Sequence, residues 1–309
     1  MIRRIAMITR RDFLKMGAGV VVASLLPKTL FTTTEGASGP LIGVARGESP
    51  NLVKTALDAI GGVNKFVKHG DKVCIKPNIS FAANIDCGAT TSPEIVKQVV
   101  ELCLDAGASK IILLDHTIQN PQLCVEESKI EEAIIDKDRV NLLTLTKERQ
   151  FGEVQIPQGS ELHSVKIAKI LQTADTFINL PTAKSHSATG VSLGIKSLMG
   201  LVWDRGALHR VNLHRAIAEL GTVMKPDVTI VDATRVLTTG GPGGPGKSVK
   251  LNTVITGTDP VAVDSYCVGV TQWYNKSWTG SSVKYIVAAS ELGLGEIDTS
   301  KMRITEIDV

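Results

Sequence analysis

The 309-residue chain has few aromatic side chains: three Trp, three Tyr and six Phe make up 4% of it. A nucleic-acid platform built on base stacking needs exposed rings, so that class is disfavoured, and a core must be assembled from Val, Ile, Leu and Ala. Cysteine is sparse as well. Cys74, Cys87, Cys103, Cys124 and Cys267 are widely spaced and form no C-x-x-C pair. Zinc-ribbon and ferredoxin patterns are therefore absent, and the odd count argues against a complete disulfide framework. Cys74 and Cys103 sit among apolar residues and read as small core side chains. Cys87, in Asp86-Cys87-Gly88, reads as a loop thiol open to reaction or ligation. The apolar run Gly17 to Leu26 has ten residues, short of the roughly 20 that span a hydrocarbon core, so no stable membrane span is expected. An excess of one charge is missing too. Of 34 Lys and Arg and 31 Asp and Glu, six and two respectively fall in residues 1–38, leaving 28 basic and 29 acidic residues beyond. The formal +3 thus originates in the leader, and the remainder offers no electrostatic footprint for nucleic acid.

What is present is ordinary globular material, 43% hydrophobic and 21% charged. Apolar runs alternate with helix-period segments, the pattern of an α/β fold with a mainly parallel or mixed sheet and helices on both faces. Strands are predicted at 41–45, 72–76, 111–115, 140–145, 176–180, 228–232, 249–255 and 302–307. Helices are predicted at 51–67, 92–106, 126–135, 190–202, 212–224, 259–270 and 281–292. Ser92-Pro93 and Asp259-Pro260 supply a cap followed by proline. Residues 151–170 show no clear period. Residues 39–309 read as a single α/β domain, with a division into two lobes near 150–175 left open.

Ligands of open α/β sheets bind at the carboxyl ends of the strands. Four predicted strands end in polar clusters: Lys76-Pro77-Asn78, Asp115-His116, Pro181 through Lys184 to His186, and Asp232 with Arg235. If these strands are parallel, the clusters share one rim. The densest stretch runs from Lys184 to His214. Gly190 and Gly194 are four apart, which on a helix puts two bare positions on one face, and the helix N-terminus suits an anion. A helix-packing face with solvated lysines is the plainer alternative. Lys196 adds a point charge, and Lys184 and His186 flank the entrance. The candidate catalytic residues are His186, Lys196 and Asp264; the candidate cofactor-binding residues are Lys76, Asn78, Lys184, Gly190, Gly194 and Asp232. His186 and His209 are candidate metal ligands, His116 and His214 lying near the same loops. Asp264, inside an apolar helical turn, needs a partner or a raised pKa, and Lys196 or Lys76 could supply the partner.

Gly241 to Ser248 satisfies the P-loop pattern literally, but Pro242 and Pro245 remove two of the amides that pattern uses, and a strand rather than a helix follows. Nucleotide hydrolysis is set aside in favour of a loop bordering the pocket.

The leader string Thr9-Arg10-Arg11-Asp12-Phe13-Leu14-Lys15, its short apolar run and the small residues Gly36 to Gly39 resemble a twin-arginine signal peptide over residues 1–38. That resemblance implies handling by the twin-arginine export machinery, a periplasmic or extracytoplasmic location, and export in the folded state, a route used when a cofactor is inserted beforehand. Gly70 to Asn78, Asn179-Leu180-Pro181 with Lys184 and His186, the Gly190 to Gly200 segment with Lys196, the loop 240–246 and Asp259-x-Val261-Ala262-x-Asp264 together resemble the family called domain of unknown function 362, over most of residues 41–309. Many of its members are described as iron–sulfur proteins through an added cysteine cluster. This chain lacks that cluster, so no iron–sulfur cofactor is carried over. The His186, Gly190, Gly194, Lys196, Gly200 spacing is also similar to one segment of the nickel-pincer lactate racemases, a pointer to cofactor style alone. The expectation is an exported enzyme using an anionic organic or metal-containing cofactor on the strand-end rim. The alternative is a periplasmic binding protein that captures a small anionic metabolite without chemistry.

Overall fold

The computed structural model describes residues 31–33 and 38–309. The leader motif lies outside them. The strands are β1 (Phe31–Thr33), β2 (Leu41–Arg46), β3 (Lys72–Pro77), β4 (Lys110–Asp115), β5 (Val140–Thr144), β6 (Phe151–Gln155), β7 (Ser164–Ala168), β8 (Thr176–Leu180), β9 (Thr182–His186), β10 (Gly190–Ser192), β11 (Val228–Leu237), β12 (Ser248–Gly257), β13 (Gln272–Trp273), β14 (Lys276–Ser277) and β15 (Arg303–Asp308). The helices are α1 (Leu52–Asp58), α2 (Pro93–Asp105), α3 (Pro121–Ser128), α4 (Gly194–Ser197), α5 (Arg205–Leu208), α6 (Leu213–Val223), α7 (Pro260–Val268) and α8 (Lys284–Glu291).

One mixed sheet organises the chain, in the order β1-β15-β2-β12-β11-β8-β3-β4-β5, with β9 and β10 attached beside β11. Within it β11, β8, β3, β4 and β5 are mutually parallel, so their carboxyl ends share one edge. The period-2 alternation of the strands sends side chains to opposite faces. Val73, Ile75, Ile178 and Ile230 join α1 and α2 in one core, while Cys74, Phe177 and Val231 join α6, α7 and α8 in the other. Helices cover both faces, as the sequence pattern requires.

Several boundaries differ from expectation for local reasons. The predicted 51–67 helix stops at Asp58, because Gly61 and Gly62 take positive φ. The helix expected at 126–135 starts at Pro121, where Asn120 accepts the Gln122 and Leu123 amides, and ends at Lys129, which has φ 53°. The featureless 151–170 stretch is the antiparallel hairpin β6–β7. The loop with the literal P-loop pattern joins the antiparallel strands β11 and β12, with no helix at its end.

Most consequential is 182–202, where a helix was expected from 190. The chain instead folds back as the hairpin β9–β10, pairing His186 with Gly190 and Lys184 with Ser192. Four residues of α4 and a 3-10 turn at Leu198–Leu201 follow. Gly190 and Gly194 therefore share no helical face. Gly190 sits at φ +79°, where a Cβ would meet the Trp278 ring at 2.7 Å.

Candidate functional site

β3 ends in Lys76, which is fully buried. Its ammonium lies 3.1 Å from Asp115 Oδ1 at the end of neighbouring β4, and donates to the Pro77 carbonyl at 2.8 Å. Asp115 Oδ2 accepts from the Ile79 amide (2.9 Å) and the Ser80 hydroxyl (3.0 Å). The pair is backed by Gly200, whose hypothetical Cβ would fall 2.3 Å from Asp115 Oδ1 and 2.9 Å from Lys76 Nζ; only a bare backbone fits there.

In front of this pair opens a cavity of about 280 Å³. Its walls come from the loop after β3 (Asn78, Ser80, Phe81), from β9 and β10 (Lys184, His186, Ser192), from α4 and its continuation (Lys196, Ser197, Gly200), from α5 (Arg205, with His209 just beyond), and from Pro242 of the Gly/Pro loop. Lys184 donates to Asn78 Oδ1 at 3.1 Å and to the Ala89 carbonyl, and its ammonium stands 4.9 Å from the centre of the Phe81 ring. Burial, then the neighbouring Lys196, holds its pKa well below the ordinary lysine value. The Lys196 ammonium makes no hydrogen bond or ion pair with the described residues; burial, then Arg205, lowers it to about 8. Arg205 donates to the His116 and Thr117 carbonyls at 2.6 and 2.8 Å. Among the described residues no aspartate or glutamate lines the cavity.

His186 is mostly buried and pushed down to about 3, by burial and then by Lys196 and Lys184, so it is neutral near pH 7. Its Nδ1 accepts from the Ala188 amide at 3.2 Å, which puts the remaining proton on Nε2. Ligation through Nε2 would require that proton to leave. His209 also lines the cavity, but among the described residues no group of three or more His, Cys, Asp and Glu is placed to hold a metal ion. The two histidines expected as ligands thus adjoin one cavity without forming a protein-only metal site.

Four expected site residues, Gly190, Gly194, Asp232 and Asp264, lie elsewhere. Gly190 and Gly194 are not in the cavity wall. The amides at the start of α4, expected to receive an external anion, are taken by Asp264, which accepts from Gly194 N at 2.7 Å and Ile195 N at 3.0 Å. Asp264 pairs with neither Lys196 nor Lys76. It is fully buried and raised to about 7 by that burial, and it anchors the turn that carries Lys196. Asp232 lies on the other side of the sheet: Val231 and Ala233 face α6 and α7, so the residue between them points away. It accepts from Ser92 N (2.7 Å) and from the Thr234 amide and hydroxyl, beside Arg235 in a separate crevice. His116 stacks on Trp203 and bonds the Val202 carbonyl, and His214 is also outside the cavity. Cys74 and Cys103 are buried, their thiols pushed up to about 12. Sequence reading missed Arg205 and Ser197. Asp204, the cap of α5, was the available signal for an ordered turn at Arg205; nothing local marks Ser197.

Fold and site together define an α/β protein with a cation-lined cavity at the carboxyl edge of a mixed sheet. The chain belongs to the family described as Domain of unknown function (DUF362), whose model matches residues 73–269, a span that contains the whole cavity wall. It is 28% identical over 188 residues to a thylakoid-associated protein of Synechocystis sp.. That alignment covers 58% of this chain and 57% of the relative's length. Among solved structures, the lactate racemase apoprotein from Thermoanaerobacterium thermosaccharolyticum is similar over 70% of this chain and 54% of its own, with TM-score 0.47 and 12% identity.

Proposed function

We propose that this cavity binds a small anion, a cofactor or metabolite carrying carboxylate or phosphate, and that the chain acts on it as an enzyme. The observation that supports binding is the charge imbalance of the wall: among the described residues Lys184, Lys196 and Arg205 line it and no carboxylate does. Buried cations lacking a counter-charge are costly, and an anion supplies what the protein withholds. Catalysis is supported by the titration of the same wall. Lys196 is tuned toward neutrality, where an amine both gives and takes protons, and His186 offers an Nε2–H donor. Asp264 serves as a positioning residue. Capture without chemistry is the competing reading, favoured if a bound ligand is recovered unchanged.

Calorimetric titration of the full chain with phosphate, oxalate and succinate tests the site. At least one is expected to bind at one equivalent per chain. Affinity should fall as pH rises through about 8, since Lys196 then loses its charge. Absence of binding by all three, or affinity unchanged from pH 7 to about 9.5, would remove the proposal.

The same reading places the chain outside the cytoplasm. Its support is the Arg10-Arg11 string with Phe13-Leu14-Lys15 and the short apolar run after it, together with a relative described as thylakoid-associated. Among the described residues no helix is long and apolar enough to cross a membrane. In fractionated cells the full chain should appear in the exported fraction, and the Arg10→Lys, Arg11→Lys double variant should stay in the cytoplasm. Equal distribution of the two would refute export by this route.

A further inference from the structure

The cations around the cavity differ in how fully the protein engages them. Lys76 faces Asp115. Lys184 is held by Asn78, Ala89 and the face of Phe81. Arg205 spends two N–H groups on backbone carbonyls. The Lys196 ammonium alone among these cations makes no hydrogen bond or ion pair with the described residues, although it lines the cavity. The next residue repeats the peculiarity: Ser197 is 4% exposed, its hydroxyl has no partner, and it lines the same wall. An unengaged amine and an unengaged hydroxyl thus line the same cavity, with Lys184 and Arg205 left to hold a carboxylate.

We infer that Lys196 is a covalent capture residue, whose amine condenses with the carbonyl of a short oxo acid held in this cavity to give an imine. The inference rests on the anion-binding reading and adds a substrate class to it. The Nζ lone pair attacks the carbonyl carbon while the C=O π pair moves to oxygen. That oxygen takes up a proton, and the carbinolamine then expels it as water. Overall one lysine ammonium and one carbonyl become one protonated imine and one water, with no oxidant or reductant. The cations on either side favour the neutral, attacking form of the amine, the arrangement by which a desolvated lysine beside other cationic groups becomes a nucleophile. The lowered pKa of Lys196 agrees with that geometry.

Reductive trapping tests it. The full chain is incubated with 2-oxobutanoate or acetoacetate and sodium borohydride, then examined by intact mass and peptide mapping, while oxalate binding is followed separately by calorimetry. The expected result is one reduced adduct per chain on the peptide holding Lys196. It should be reduced at least tenfold in Lys196→Arg, which keeps the charge but cannot form an imine. Oxalate bound without any adduct, an adduct on Lys184, or adducts scattered over surface lysines would overturn the imine and leave the anion site standing. Failure to bind oxalate, phosphate or succinate would overturn both. If Lys196→Arg does not fold, the adduct's position in the unaltered chain distinguishes these outcomes.

Discussion

Replacing Asp115 with alanine is expected to destabilise the fold by about 3–5 kcal/mol, the usual consequence of stranding one member of a buried ion pair. Both partners are fully buried, 3.1 Å apart. Without the carboxylate, the Lys76 ammonium keeps only the Pro77 carbonyl, and the Ile79 amide and Ser80 hydroxyl lose their acceptor. Gly200 packs against both groups, so the backbone on that side offers the stranded ammonium no carboxylate in exchange. Chemical denaturation at neutral pH measures the loss. The double replacement Asp115→Leu, Lys76→Met should recover most of it, since no charge is then left stranded. A single-variant loss under about 1 kcal/mol would mean that the pair is hydrated or unformed in solution.

Lys196→Met is expected to separate stability from function, lowering anion affinity at least about 100-fold while stabilising the fold by about 1–3 kcal/mol near pH 7. The sign follows from linkage. The folded-state pKa of Lys196 is depressed to about 8 from an ordinary 10.5, so the native state binds this proton less tightly than the unfolded chain does. Its contribution is a destabilisation, present in full below about pH 8 and fading as pH climbs toward 10.5. The stability gain of the variant should fade over that same interval, and so should the difference in anion binding. Denaturation curves at pH 7 and about 10.5, paired with calorimetry, read both effects. A variant that is less stable at pH 7, or that binds anions as before, would show that Lys196 is a packing residue.

Much of the parallel half of the sheet was legible. Predicted strands 72–76, 111–115 and 176–180 lie within one residue of β3, β4 and β8, because buried parallel strands are short unbroken apolar runs bounded by polar loops. The rim was legible for the same reason: Lys76, Asn78, Lys184 and His186 follow such runs directly. The hairpin β9–β10 was not. Thr182 to His186 carries Lys, Ser and His, which no propensity reads as a buried strand, yet all five residues are buried because β11 pairs beside them. Gly190, Gly194 and Gly200 suggested a helical stripe; each in fact makes room for a different neighbour, Trp278, Asp264 and the Lys76–Asp115 pair.

The sequence by itself determined the kinds of element, most of their order, and that cationic, imidazole and carboxylate side chains gather at strand ends, since those features follow from periodicity and caps within a dozen residues. Tertiary structure alone decided which charges are answered. Asp115 reaches Lys76 across 39 residues, Asp264 reaches Gly194 across 70, and Asp232 turns to the opposite face by the alternation of one strand. The Lys196 ammonium is left without a partner among the described residues. A charge balance of that kind depends on register and packing between distant segments, and no local pattern encodes it.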